Sequence, residues 1–258
     1  MHLIALLGTS PAVEVLQHYR DPASRFHLHA VPAGPVPQQL SALPALGFTG
    51  ALLFGSEVRR DAVALVRASV EAADLQAVNV VSVAGGQVQG DYVGAAAVVD
   101  GLRHAGWDPR GARVVASGGH DDVRSLLRSL ATAGVVDITL VGPDAPAAER
   151  ALPALPAGVK SRALPARDPI IPDLVARCDA VLRGDGNLKV PAESLGPHLT
   201  LVDVSPNLPS EPRATARAAG VSTIAWADVE AHRVAATLQQ LLSLPVDPAP
   251  LHELLRTV

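Results

Sequence analysis

Cysteine is almost missing from this 258-residue chain: Cys178 stands alone, so no internal disulfide can form, and a reducing cytoplasm is the expected compartment. Aromatic residues make up only 3% and no run of lysine or arginine occurs, which excludes the basic, stacking surface that nucleic acid requires. A formal net charge of -4 argues the same way. Long apolar runs are absent too. His2-Leu-Ile-Ala-Leu-Leu-Gly8 is far shorter than the roughly 20 residues of a spanning helix, and it has neither a basic start nor a cleavage pattern, so no membrane association is expected. Lysine occurs only at Lys160 and Lys189, so no lysine chemistry is available in the first half of the chain.

What is present is apolar and rhythmic. With 48% hydrophobic and 18% charged residues the chain can bury one large core or two moderate ones. Short β-type runs (residues 3–7, 26–31, 51–54, 79–83, 113–116, 137–141, 180–183, 200–204 and 222–225) alternate with helix-length stretches. Apolar residues recur at helical spacing over 11–19, 36–46, 57–73, 122–133, 145–152, 171–177, 213–219 and 229–242. That alternation predicts an α/β protein with parallel sheets. Gly85-Gly86 between two β-type runs predicts a hairpin turn. Residues 94–104 read as a helix leaving the first sheet, and Trp107-Asp-Pro-Arg-Gly111 as a turn before a second strand series. The expected organisation is two α/β domains with a cleft between them. One comprises residues 1–93 plus 227–258, the other a Rossmann-like, doubly wound domain over 94–226.

The segment from Arg113 to Leu127 reads as a strand, a glycine turn and a helix start, the arrangement that holds a pyrophosphate in dinucleotide-binding domains. Asp121 and Asp122 stand where the phosphate belongs. They satisfy the positive end of the helix from within the chain.

Several pieces occur in a telling order: Gly47-Phe-Thr-Gly50-Ala51 before a strand, Ala77-Val-Asn79, Gly90-Asp91, a helix, then Arg113-Val-Val with its glycine turn. Ala133-Gly134 before Thr139-Leu-Val141, Val202-Asp-Val204 with Asn207, Ala216-Arg-Ala-Ala-Gly220 and His232 in the last helix continue the series. In this order the chain resembles the shikimate dehydrogenase family over essentially its whole length. The resemblance implies an N-terminal substrate domain, a C-terminal NADP domain, and reduction of 3-dehydroshikimate with a lysine and an aspartate managing the proton at the carbonyl oxygen.

The residues that carry that chemistry are altered. The family's Asn-Val-Thr-x-Pro-x-Lys reads Leu52-Leu-Phe-Gly-Ser-Glu-Val58, with valine at the lysine position. Arg59 and Arg60 follow, and a guanidinium holds a carboxylate but does not exchange protons near neutrality. Gly-Asp-Asn-Thr-Asp-Gly reads Gly90-Asp-Tyr-Val-Gly94-Ala95, so glycine replaces the acid; Asp91 is either a catalytic remnant or an N-cap for the next helix. The nucleotide loop Gly-Ala-Gly-Gly-Ala becomes Gly118-Gly119-His120-Asp121-Asp122, and the Asn-Arg-Thr that reads the 2′-phosphate becomes Gly142-Pro143-Asp144. No cofactor is expected, with NADP the one implied if the family activity is retained.

The substrate end is partly kept. Asn79 matches the family's substrate-contacting asparagine, Ser10 the second serine of Ser-x-Ser-Pro, and Arg233 takes the place of a glutamine that touches substrate. With Arg59 or Arg60 these residues make a small hydroxylated carboxylate the expected ligand; alternatively Asn79 bonds backbone and the arginines are solvated. His27 and His29 share one strand face without a third metal ligand, and adjacent His120, Asp121 and Asp122 cannot easily converge on one ion, so no metal site is expected. Gly184-Asp-Gly-Asn-Leu188 is either a binding loop or a plain turn. Ser10, Ser56 and Ser205 lack a Gly-x-Ser-x-Gly setting. Three readings follow: a shikimate dehydrogenase-like protein with lost catalysis that at most binds a small carboxylate, an active shikimate or quinate dehydrogenase with a displaced acid/base set, or a non-catalytic interaction subunit.

Overall fold

The computed structural model describes residues 1–186 and 188–258. The chain divides into two compact units, Met1–Gly94 with Glu230–Val258, and Ala95–Val229.

The first unit runs β1 (His2–Gly8), α1 (Pro11–Leu16), β2 (Phe26–Ala30), α2 (Val36–Ala42), β3 (Gly50–Phe54), α3 (Ser56–Val63), β4 (Arg67–Ala68), α4 (Val70–Leu75), β5 (Val80–Ala84) and β6 (Gln87–Asp91). Its sheet has the order β2-β1-β3-β5-β6-β4. β1 pairs in parallel with β2 and β3, whereas β5 is antiparallel to β3 and β6. The expectation of a parallel sheet is therefore corrected here to a mixed one. The Gly85-Gly86 turn, with φ of +57 and +76, accounts for the β5–β6 pair, because a two-residue loop can join only antiparallel neighbours. β3 is buried on both faces, and so are residues 4–7 of β1, which explains their continuous apolar runs.

The single helix expected over residues 57–73 is in fact α3, β4 and α4. Arg67 and Ala68 pair with Gln89 and Gly90 of β6, and the Ser69 hydroxyl then accepts from Ala72 N at 3.2 Å to cap a new helix. Sheet pairing plus a cap outcompetes helix continuation.

The second unit runs α5 (Ala95–His104), β7 (Arg113–Ser117), α6 (Asp121–Thr132), β8 (Asp137–Gly142), α7 (Ala145–Ala151), β9 (Lys160–Pro165), α8 (Ile171–Arg177), β10 (Ala180–Arg183), β11 (Thr200–Asp203), α9 (Glu211–Ala218) and β12 (Ser222–Ile224). The order is β12-β11-β10-β7-β8-β9 with every pairing parallel, so this is a doubly wound sheet that reverses direction between β7 and β10. Residues 160–165 carry no strand in the sequence rhythm. They form β9 because β8 offers an unpaired edge, and an edge strand needs little apolar content. Its core packs α5 and α6 residues such as Val98, Leu102, Leu126 and Leu130 on β7 and β8.

α10 (Trp226–Leu242) starts in the second unit and belongs to the first from Glu230 onward; α11 (Pro248–Leu255) packs on α1. Among the described residues no helix is long and apolar enough to cross a membrane.

Candidate functional site

In a doubly wound sheet the point of reversal opens a crevice at the carboxyl ends of the strands. Here that point lies between β7 and β10. After β7 the chain turns through Gly118 at φ +94, and α6 begins with Asp121, which is buried, and Asp122. His120 precedes the helix in extended backbone and makes no side-chain cap. Its ring instead reaches the loop after β10: Nε2 lies 3.0 Å from Gly184 O and 3.0 Å from Ser205 Oγ, while the Ser205 hydroxyl donates to the same carbonyl at 2.6 Å.

This network assigns the tautomer. Gly184 O offers only lone pairs, so Nε2 must carry the proton that faces it, and the Ser205 hydroxyl is also turned to that carbonyl. Nε2 therefore has no lone pair facing Ser205, and the His120–Ser205 pair does not act as an activated nucleophile. The loops are also in close contact. A β-carbon on Gly118 would sit 3.0 Å from Gly184 C, and one on Gly184 would sit 2.4 Å from Ser117 O and 2.9 Å from His120 Nε2. Both glycines are required by that approach. Asn187, part of the glycine-rich loop considered from sequence, lies outside the described residues.

Beside the crevice a cavity of about 350 Å³ is lined by Gly118, Gly119, Arg124, Gly142, Pro143 and Arg150. The loop after Val141 has no arginine, but the fold brings Arg124 from α6 and Arg150 from α7 to that place. No spacing rule links these positions; only the β7–β8 pairing does. Asp144, the acid after β8, is used as the cap of α7 and accepts from Ala147 N at 2.7 Å. Sequence reading also missed a buried ion group. Arg183 and Asp203 are 2% and 3% exposed and face each other at 3.3 Å, and Arg213 reaches the other carboxylate oxygen at 3.0 Å. Burial pushes Asp203 above the usual carboxylate range against the pull of both arginines, and burial likewise lowers Arg183. Arg183 also donates to Pro209 O at 2.8 Å, tying down the loop after β11.

In the first unit each residue singled out from sequence has a definite place. Ser10 caps α1, accepting from Ala12 N at 3.3 Å. Val58 packs on the core beneath α3. Asn79 is buried and its amide is used twice on one residue, donating to Val93 O at 2.7 Å and accepting from Val93 N at 2.9 Å. Arg59 is buried, donates from Nε to Leu53 O at 2.8 Å and lies 5.9 Å from the Tyr92 ring centroid. Arg60 is exposed and donates to Ser56 O at 3.1 Å. Arg233 is buried and ion-paired with buried Glu230. Gly94 has φ +100, and a β-carbon there would sit 2.8 Å from Arg233 Cγ.

Asp91 does not cap α5, which begins at Ala95. It accepts instead from Tyr92 N at 2.8 Å, from the Ser69 hydroxyl, and from Gln240 Nε2 at 2.6 Å. The strand-to-helix connection runs three residues beyond it, so the cap reading is corrected. His29 packs its ring on Phe48, 6.2 Å between centroids, and His27 bridges to Arg20. Among the described residues no cluster of three metal-ligating side chains occurs.

A mixed six-stranded sheet, a doubly wound parallel sheet and terminal helices that return to the first unit together define the shikimate dehydrogenase-like fold of two α/β domains. Solved structures with this fold match along the whole chain. A quinate dehydrogenase from Corynebacterium glutamicum in complex with NAD is 18% identical, with a TM-score of 0.80 over 100% of this chain and 99% of that one. Shikimate 5-dehydrogenase from Listeria monocytogenes, in complex with shikimate and NAD, is 17% identical with a TM-score of 0.80 over 98% and 96%. The 5-ketofructose reductase of Gluconobacter sp. strain CHM43 is 21% identical with a TM-score of 0.73 over 99% and 98%. No protein-family model and no curated protein matches the sequence. At these identities the likeness is one of fold.

Proposed function

We propose that this chain is a shikimate dehydrogenase-like protein that has lost oxidoreductase chemistry and at most holds a small hydroxylated carboxylate. The observation that carries the reading is the His120 side chain lying across the crevice, 3.0 Å from Gly184 O. A dinucleotide pyrophosphate needs that space and the free N–H groups of the helix behind it. It would also meet Asp121 and Asp122. A carboxylate about 4 Å from one phosphate charge costs roughly 1 kcal/mol in water and roughly 4 kcal/mol at a surface-like dielectric. The residues present do not fit NAD or NADP.

Proton transfer is missing as well. Val58 and Gly94 have no exchangeable proton, and Arg59 and Arg60 stay protonated near neutrality. What remains is recognition: the segment 91–94 is flanked by two buried guanidiniums, Arg59 over Tyr92 and Arg233 against Gly94. Each presents a fork that matches a carboxylate, and a ligand would compete there with Leu53 O for Arg59 and with Glu230 for Arg233. Asn79 spends both ends of its amide on Val93, so the expected affinity rests on carboxylate exchange at the two arginines.

The second reading, an active shikimate- or quinate-type dehydrogenase with a displaced acid/base set, draws support from Arg124 and Arg150 beside Gly118. Titration calorimetry with NADPH and NADH separates the two, together with assays of shikimate and quinate oxidation. The proposal expects no binding tighter than about 1 mM and no turnover. A low-micromolar dissociation constant with turnover would establish the dehydrogenase. If neither nucleotide nor any small acid binds, the interaction-subunit reading takes over.

A further inference from the structure

A second cavity lies in the first unit, on the face of β5, β6 and β4 opposite the core that takes Val81, Val83 and Val88. The register sets Val80 opposite Asp91, Ser82 opposite Gln89, and Gln89 opposite Arg67, so these side chains share one face of the sheet. α10 forms the wall. It fits closely on β3, where a β-carbon on Gly50 would meet Leu241 Cδ1 at 2.6 Å, and it ends at Leu242. The space left beyond it measures about 530 Å³. That is within the range of small-molecule sites, roughly 300 to 1,000 Å³.

The polar groups fall into two sets. Asp91 is fixed: Oδ1 accepts from Tyr92 N and the Ser69 hydroxyl, and Oδ2 accepts from Gln240 at 2.6 Å, which leaves Oδ2 a further lone pair. Arg67, Ser82 and Gln89 make no side-chain hydrogen bond or ion pair among the described residues. The cavity thus has a held negative charge at one end and an uncommitted positive charge at the other. A simple anion would face Asp91 and a simple cation would face Arg67; a molecule carrying both charges satisfies both ends. Arg67 and Asp91 stand on adjacent strands two residues out of step, about 4.8 Å across and about 6.6 Å along, or about 8 Å on the diagonal. That is a backbone separation; the long Arg67 side chain can bring its guanidinium to one charge while Asp91 takes the other, so a molecule with two charged groups one carbon apart can span the pair. Val80 and Leu241 supply apolar wall for a hydrocarbon side chain.

We infer that this cavity binds a free aliphatic α-amino acid, its carboxylate on Arg67 with Ser82 and Gln89, and its ammonium on Asp91 Oδ2. The inference stands apart from the proposed carboxylate site and from its arginines. Titration calorimetry of the full chain with L-leucine tests it, with L-valine and L-alanine as further probes. A dissociation constant of about 1 mM or tighter is expected, weakened about tenfold or more by Arg67→Ala and unchanged by Arg256→Ala, an exposed arginine that does not line the cavity. Arg67 is exposed, so its variant folds. Gln89→Ala, also on the surface, should weaken binding less. Two single-charge analogues, 4-methylpentanoate and 3-methylbutylamine, should bind far more weakly than leucine. The inference is overturned if none of the amino acids binds, if Arg67→Ala leaves leucine binding intact, or if either analogue or glucose binds as tightly as leucine.

Discussion

Arg233 occupies the space into which a side chain at position 94 would project: its Cγ is 2.8 Å, and its Cα and carbonyl oxygen 3.1 Å, from where a β-carbon on Gly94 would lie. With φ at +100 the backbone also excludes other residues, so glycine here reflects both strain and packing. Gly94→Ala should destabilise the protein by about 2 to 4 kcal/mol, the left-handed penalty plus overpacking. Urea denaturation measures this. Gly94→Asp should cost at least as much and, even with Val58→Lys, give no shikimate oxidation.

His120 is the residue whose removal should reopen the crevice. His120→Gly with Asp121→Gly and Asp122→Ala should raise affinity for NADH or NADPH at least tenfold, because it clears the path and removes two charges that oppose phosphate. The variant should also lose about 1 to 2 kcal/mol of stability with the bond to Gly184. Calorimetry that finds nucleotide affinity unchanged would show that the crevice is closed by something other than these side chains.

Arg233→Ala should weaken any small hydroxylated carboxylate about tenfold or more, since charge-assisted hydrogen bonds contribute roughly 1.5 to 3 kcal/mol. The change also leaves Glu230 buried without its guanidinium and should lower stability. Arg233→Lys keeps the charge, so a binding loss that persists in it identifies the guanidinium fork. Thermal-shift and calorimetric screening of shikimate, quinate and simple organic acids provides the readout.

Asp21 accepts from Arg25 at its backbone N at 2.7 Å, at Nε at 3.0 Å and at Nη2 at 2.8 Å, and the side-chain bonds to Arg25 hold its carboxyl below the ordinary 3.8. A depressed folded-state value means the stabilisation is present above 3.8 and is lost as pH falls through the lower, folded value. Asp21→Asn should therefore cost about 1 kcal/mol at pH 7, given that Arg25 is partly solvated, and progressively less in strong acid. Urea midpoints of both proteins across that range should converge.

Burial pushes the Cys178 thiol up to about 12. The native protein should leave a disulfide reagent such as 5,5′-dithiobis(2-nitrobenzoate) unreacted at pH 8, and guanidinium should release one equivalent of thiolate. Fast reaction in the absence of denaturant would mean that the connection between α8 and β10 opens readily.

The strand and helix rhythm was legible because most elements here bury a face, and burial imposes a period. Where burial is slight the signal fails: β4 has two residues and β9 begins with exposed Lys160 and Ser161, so neither carries a pattern. The helical spacing over 57–73 is real in α3 and α4, but the break at Arg67 depends on β6 as a pairing partner.

The same division holds at the site. From local sequence alone it follows that Val58 and Gly94 carry no exchangeable proton and that Asp121 and Asp122 open a helix, because residue type and its place in a turn or helix end decide these. That His120 crosses to Gly184 and Ser205, 64 and 85 residues away, that Arg124 and Arg150 share a cavity, and that Arg233 fills the space beside Gly94 depends on which strands and helices become neighbours. Sequence fixes what each side chain can do, through its chemistry and local backbone preference. Tertiary packing alone decides what it does it to, since contacts across tens of residues exist only once the sheet order has been set.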